Sequence, residues 1–462
     1  MKYDAIVIGA GQAGPSLAAF FAGQGQKVAL AEGGEMGGSC VNYGCTPTKT
    51  MRASARVAYQ ARRAAEFGVQ TGDVTVDFAK VMARKDKIVS NSRDGLTGWL
   101  ESIEQLDIYR EFASFAGTQD GIHQVRVGDT VIESERVYLN VGTRDSIPSV
   151  EGLETITYLN NVSLMNLKEL PEHFIILGGG YIGLEMGQIF CRFGSQVSII
   201  EYMSHVASGE DADVSEEVER ILRSEGVIIH SNSEATQVTQ ESDGSINVTI
   251  KNRENGTETT INGSHLLVAT GRTPNTDTLN LEAVGVKTDK RGYIETNGKL
   301  ETNVKGIWAL GDINKRGAFT HTSFHDFEIV RDNYQGIERS ADTRTMVYSM
   351  FTDPPMGRVG MNEKEARESG RNVLAMKHMA KHVSRAKEDN ELNGLVKIIV
   401  DADSEEILGA TTFIMQGDDV IQVVSNYMAA GASYKIMKNV LPVHPTIGEY
   451  FPTWLGMLEP LE

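Results

Sequence analysis

Two short apolar runs, at residues 5–8 and 174–177, each stop at a glycine and lead into a helical stretch. A second apolar run follows each of them, at 28–31 and 197–200. Short apolar runs bounded by turn residues mark strands buried on both faces. The pattern predicts strand, glycine turn, helix, strand, and it predicts this twice. Residues 4–32 (DAIVIGAGQAGPSLAAFFAGQGQKVALAE) and 173–201 (HFIILGGGYIGLEMGQIFCRFGSQVSIIE) have the same length and align without a gap. Gly9, Gly11 and Gly14 fall on Gly178, Gly180 and Gly183, Gly25 falls on Gly194, and Glu32 falls on Glu201.

Elsewhere the period changes. Residues 50–95 carry helical spacing, and 108–142 alternate like short antiparallel strands. HLLVATGRTPNT (265–276) and GIWALGDI (306–313) read as apolar strands that end in glycine-containing turns. From about residue 342 the texture shifts to a hairpin pattern, KIIVDADSEEILGATTFI, and an amphipathic helix, DDVIQVVSNYMAAG. The expected fold is α/β, with two Rossmann-like dinucleotide-binding domains and a C-terminal α+β domain. The expected boundaries are 1–147 with 270–341 for the first domain, 148–269 for the second and 342–462 for the third.

Each repeated unit is a βαβ fingerprint for a dinucleotide. The first glycine allows the tight turn, the second admits a pyrophosphate to the backbone, and the third lets helix and strand pack. The unpaired N–H groups of the helix start then face the phosphates. The terminal glutamate is placed to accept a ribose 2′-OH. One such pattern is weak evidence, but two with a glutamate 23 residues after the first glycine imply two bound dinucleotides.

Charge and cysteine count narrow the rest. A net charge of −18 argues against nucleic acid and anionic membranes as partners. The apolar stretch 5–26 is broken by glycines and a proline, so no transmembrane helix is expected there. No signal peptide is expected, and three cysteines in 462 residues fit a reducing, cytoplasmic setting.

Cys40 and Cys45 lie in GGSCVNYGCTPTKT, with Cys40 eight residues after Glu32. Zinc needs four ligands, and no second Cys or His pair is near. A structural disulfide suits a reducing compartment poorly. A redox dithiol beside a bound dinucleotide suits both the position and the flanking glycines. Cys191 reads as a small core residue, His321 and His325 as helix-start residues, and the scattered methionines form no copper box.

The run from Gly37 to Lys49 resembles the active-site motif of the class I pyridine nucleotide-disulfide oxidoreductases. That group includes dihydrolipoamide dehydrogenase, glutathione reductase and mercuric reductase. The likeness extends over both fingerprints, ATGRTPN, ALGDI and HPTIGEY. It implies FAD on the first unit (Gly9, Gly11, Gly14, Glu32, Asp312, Gly271) and NAD(P) on the second (Gly178, Gly180, Gly183, Glu201). It also implies that Cys45 is the flavin-side thiolate and Cys40 the interchange thiol. Lys49 pairs with Glu185 near the flavin, and Tyr181 covers the flavin until nicotinamide arrives. His444, oriented by Glu449, serves the partner subunit's thiol, which makes the expected assembly a homodimer with shared sites.

Glu201, with no arginine in the following YMSHVASGEDADVSE, points to NADH (or NAD+) over NADPH. The acceptor is a small disulfide or a metal ion. GQAGPSLA, FTDPPMGRVGM and HPTIGEYFPTWLGML look most like the mercuric-reductase branch. Two departures stand against efficient Hg(II) reduction: no heavy-metal-binding domain precedes the first fingerprint, and no cysteine follows Cys191. Dihydrolipoamide dehydrogenase is the rival reading. A redox-silent sensor or structural subunit is a further one, which the presence of Cys40, Cys45 and His444 disfavours.

Overall fold

The computed structural model describes residues 1–461. A five-stranded parallel sheet runs in the order Ile307–Ala309, Val137–Leu139, Ala5–Ile8, Val28–Ala31, Leu106–Tyr109. Its central strands are wholly buried, which is why they read as unbroken apolar runs. A second parallel sheet runs Ile228–His230, Gln196–Ile200, His173–Leu177, His265–Val268. The chain is thus mixed α/β with two dinucleotide-binding-type units.

The internal repeat holds at atomic detail. Gly9 has φ +101°, and a Cβ there would sit 2.3 Å from the Asn140 carbonyl oxygen; Gly178 has φ +107°, and its Cβ would sit 2.4 Å from that of Ala269. A Cβ on Gly14 or Gly183 would lie 2.0 Å from the carbonyl oxygen of Gly9 or Gly178. Only glycine lets strand, turn and helix close this tightly.

Each parallel sheet has an antiparallel three-stranded companion, Ala113–Gln119/Ile122–Val127/Thr130–Ser134 and Ser233–Gln240/Ile246–Asn252/Glu258–Gly263. The ends of segment 108–142 depart from the expected antiparallel pattern. Residues up to Tyr109 and from Val137 to Leu139 join the parallel sheet instead, where Leu106 and Tyr138 are buried on one face of the sheet and Val137 and Leu139 on the other, against Phe115 and Val125. The two passages between the units, Thr143–Asp145 and Arg272–Pro274, pair with each other and are tied by Arg272 to Asp145 at 2.8 Å.

The C-terminal part is a six-stranded sheet in the order Val347–Met350, Met356–Gly360, Ile407–Phe413, Leu395–Asp401, Val373–Met379, Glu459–Pro460, with helix Gly417–Ala429 against it. One apolar core joins all three regions. It takes Met51 and Ala55 from the helix after the cysteines, Phe174 and Phe190 from the second unit, and Met350, Met356 and Phe413 from the C-terminal sheet. The cysteine-bearing helix is therefore wedged between domains. Buried Arg192 bonds Glu225 at 2.7 Å and Asp353 at 2.6 Å, fixing the same junction. Among the described residues no helix is long and apolar enough to cross a membrane.

Candidate active site

The cysteine loop is pressed onto the first glycine turn. Gly37 N–H donates to the Ala10 carbonyl at 2.9 Å, and a Cβ on Gly38 would meet Gly11 Cα at 3.0 Å. Cys40 sits in the short helix Gly38–Asn42, which Asn42 ties to the Met36 and Gly38 carbonyls at 2.9 and 3.0 Å. Cys45 then opens helix Cys45–Arg62, whose N-terminus has no side-chain cap. Both thiols are free and half-buried. Thr320, at the start of helix Thr320–Tyr334, lies 3.1 Å from Cys45 Sγ.

These contacts split the thiols. Cys45 is brought down to about 6, first by the hydrogen bond from Cys40, then by Thr320 and the Lys49 charge, against burial. Cys40 is pushed up by the same bond and by burial. The pair thus favours a thiolate on Cys45 and a protonated thiol on Cys40. Alkylation of Cys45 in the reduced protein is expected to rise with pH through about 6, where a free thiol would titrate near about 8.5. The native thiol holds fewer protons than the unfolded one between those limits. This contribution to stability therefore grows as pH rises through the window and is lost as pH falls through the lower limit. Iodoacetamide kinetics across pH read the midpoint directly, and a midpoint above about 8 would remove the assignment.

Lys49 lies on the same helix. Its Nζ is 2.8 Å from Glu185 Oε2 and stands over the Phe351 ring at 4.2 Å. Glu185 Oε1 accepts the Phe351 N–H at 2.9 Å. Glu185 belongs to helix Tyr181–Phe193 of the second unit, so the pair bridges the two units. Tyr181 begins that helix and donates its hydroxyl to Glu210.

Glu32 Oε2 accepts Ala10 N–H at 2.7 Å and Oε1 accepts Gly34 N–H at 2.7 Å; Glu201 does the same with Gly179 and Met203, both at 2.6 Å. Each carboxylate thus stiffens its own glycine turn. Asp312 is joined to Thr143 Oγ1 at 3.2 Å, and burial pushes its carboxyl upward. Gly271 has φ +138° beside Ser146, in the ribbon between units. The turn around Asp312 is fixed by Asp326, which accepts Gly311 N–H at 2.8 Å and pairs with Arg344.

His444 Nδ1 lies 2.6 Å from Glu449 Oε2. The glutamate is tucked in at 13% exposure, while the histidine side chain is 78% exposed. Leu441 and Val443 beside it are 93% and 75% exposed. His321 lies near its helix start and meets the Val347 carbonyl at 2.6 Å, but His325 lies inside the helix, not at its start. Burial and Arg344 bring His325 down to about 4. Cys191 is half-buried and donates to the Glu225 carbonyl at 3.3 Å.

The family model for pyridine nucleotide-disulphide oxidoreductases matches residues 3–326, and the model for the dimerisation domain of that family matches 346–454. The chain belongs to the class I pyridine nucleotide-disulfide oxidoreductases. It is 34% identical over 457 residues, 97% of both chains, to the probable pyridine nucleotide-disulfide oxidoreductase RclA of Escherichia coli. It is 31% identical to a mercuric reductase of Lysinibacillus sphaericus, covering 97% of this chain and 81% of that one. It is equally identical to dihydrolipoyl dehydrogenase of Geobacillus stearothermophilus, at 97% and 94% coverage. A solved Cu(II) complex of the HOCl-induced flavoprotein disulfide reductase RclA from Escherichia coli superposes with TM-score 0.89 and 32% identity, covering 99% of each chain.

Enzymes of this family are FAD-dependent and use a pyridine nucleotide. The residues here fit both groups. The helix at Tyr181 starts without a side-chain cap, so its N–H groups are left for an anion; at the first helix the Gly14 N–H already donates to Asn140 Oδ1 at 3.1 Å and Pro15 has none to give. A Cβ at Gly180 would meet nothing within 4 Å, which leaves the second turn open to a pyrophosphate. Sequence reasoning missed several residues of this oxidoreductase site. Thr320, Phe351 and Glu210 reach it from far along the chain, and no local motif announces them. Arg253 is another: it stacks on Tyr202 at 3.7 Å and donates to the Tyr202 carbonyl at 3.0 Å. No arginine lies in the residues just after Glu201, and this one arrives from the end of the distant strand Ile246–Asn252.

Proposed function

We propose that this protein is an NADH-dependent, FAD-containing reductase of small disulfides, with Cys40–Cys45 as its redox pair. The observation that carries the reading is the geometry of the dithiol: Cys45 at a helix start with Thr320 at 3.1 Å, Cys40 in the short helix before it, and Lys49 one turn on, held by Glu185 at 2.8 Å. FAD, when bound, supplies two-electron transfer between nicotinamide and this pair. Gly9, Gly11, Gly14, Glu32, Asp312 and Gly271 would hold or border it, and Gly178, Gly180, Gly183 and Glu201 would serve the nicotinamide dinucleotide.

The exchange chemistry balances on this chain's own groups. The partner subunit's copy of the His444–Glu449 pair takes the Cys40 proton. Cys40 attacks one sulfur of the substrate, the S–S bond breaks, and the leaving thiolate receives that proton. The Cys45 thiolate then attacks Cys40, expels the second substrate thiolate and closes the Cys40–Cys45 disulfide. NADH supplies the two electrons that reopen it. The assembly is a homodimer, because within one protomer His444 projects into solvent.

A thiophilic metal ion is the second acceptor, favoured by the paired thiols and by the mercuric reductase and Cu(II)-bound RclA among the similar proteins. A disulfide uses the base twice, to take the Cys40 proton and to return it to the leaving thiolate, whereas a metal ion needs only the proton removed, which is why the disulfide ranks first. Glu201 repels a 2′-phosphate, although Arg253 nearby offsets part of this. The expected kcat/KM ratio favours NADH over NADPH by about tenfold or more. Coenzyme oxidation by the FAD-loaded protein, with oxidised lipoamide, glutathione disulfide, Cu(II) and Hg(II) in turn, tests both points. Lipoamide turnover near about 10 s⁻¹ supports a dihydrolipoamide-dehydrogenase-like enzyme. Turnover with metal ions alone would replace the disulfide with the second acceptor.

A further inference from the structure

Two tyrosines from different domains converge on one buried carboxylate. Tyr181 starts the helix of the second nucleotide unit, and Tyr348 lies in strand Val347–Met350 of the C-terminal sheet. Both hydroxyls donate to Glu210 Oε1, Tyr348 at 2.9 Å. Arg358 donates to Oε2 at 3.1 Å, and the Glu210 side chain is 0% exposed. The carboxylate is held from behind as well, since neighbouring Asp211 takes buried Lys397 at 2.9 Å.

The cluster touches the redox site on both sides. The Tyr181 and Tyr348 rings are 5.7 Å apart, and Tyr348 stacks on Phe319 at 5.1 Å. Phe319 precedes Thr320, the partner of Cys45. The strand that carries Tyr348 continues to Phe351, which contacts Lys49 and Glu185.

A buried carboxylate must stay paired. Arg358 alone would neutralise it, yet it has two phenol donors besides. If Tyr181 leaves, Glu210 keeps Arg358 and Tyr348, so no charge is stranded. Burial, with Glu210 adding to it, pushes the Tyr181 hydroxyl far above the ordinary phenol range, which keeps it a donor. Departure of Tyr181 therefore gives up one charge-assisted hydrogen bond and its packing on the Tyr348 ring, and leaves no buried charge unpaired.

We propose that Glu210 is a positioning residue that latches Tyr181 over the nicotinamide site, with Tyr348 and Arg358 satisfying its charge when a nicotinamide ring opens the latch. The latch rests on the nicotinamide site proposed above. Its consequence is that the nicotinamide ring binds against the Tyr181–Glu210 bond, whereas the ADP-ribose part of the coenzyme does not.

Calorimetric titration of the FAD-loaded protein with NAD+ and, separately, with ADP-ribose tests this. Tyr181→Phe removes only the hydroxyl and is expected to bind NAD+ about three- to tenfold more tightly, with ADP-ribose affinity unchanged. Glu210→Gln is expected to shift NAD+ binding in the same direction, and the double variant to go no further than Tyr181→Phe. Unchanged NAD+ affinity in Tyr181→Phe, or equal shifts for NAD+ and ADP-ribose, would overturn the latch alone. Failure of the wild-type protein to bind NAD+ at all would overturn both the latch and the nicotinamide site.

Discussion

Cys45→Ser is expected to lose disulfide reduction by about a thousandfold or more while keeping its fold and its FAD. Serine fits the first position of helix Cys45–Arg62 and can keep the contact with Thr320 that cysteine makes at 3.1 Å. The glycine turn, Glu32 and Asp312 do not depend on the sulfur, so flavin content should match the wild type. What disappears is the thiolate that expels the second half of the substrate. Cys40 can still be attacked or attack, so a substrate disulfide should remain attached to it as a mixed disulfide. The measurement is turnover with oxidised lipoamide, joined to intact-protein mass after incubation with the same disulfide. Wild-type turnover in the serine variant would sink the dithiol mechanism. An adduct that maps to Cys45 in the Cys40→Ser variant, and none on Cys40, would reverse the two roles.

The second large effect lies in the pairing of subunits. His444→Gln and Cys45→Ser should each be inactive as a pure homodimer. Refolded or co-expressed together, they should recover about a quarter of the wild-type activity per subunit, because half the dimers are mixed and each contains one intact site. That site takes its cysteines from one chain and its histidine from the other. The expectation rests on the exposure of His444 and on the apolar Leu441 and Val443 around it, which a lone protomer leaves in water. Glu449 is already positioned at 2.6 Å, so the histidine is oriented before the partner arrives. If the mixture stays as inactive as its components, the site is completed within one chain and the shared-site arrangement is wrong. His444→Gln on its own should also change the pH profile, since Cys40 then lacks the base that its raised pKa calls for.

Much of the site was legible because its motifs are local. A glycine turn at Gly9–Gly14 needs the same backbone path wherever it occurs, so its residues follow one another in sequence. The repeat at Gly178–Gly183 reproduces even the carbonyl contacts of the first copy. Cys40, Cys45 and Lys49 share one loop and one helix, and His444 and Glu449 share one turn. The segment near residues 108 and 137 was harder. Alternation there described the antiparallel strands between them, but the ends answer to a parallel sheet formed with residues far away.

The α/β class, the two dinucleotide units, the cysteine pair and the family can all be read from the chain, because each is written in contiguous residues whose backbone geometry is set by local sterics. It takes the folded chain to bring Thr320 to Cys45, Phe351 to Lys49, Arg253 to the Glu201 corner, and Tyr181, Tyr348 and Arg358 to Glu210. Those contacts join residues dozens to hundreds of positions apart. Their partners are chosen by how buried surfaces pack and by the need to pair every buried charge, and neither condition leaves a periodic mark on the chain.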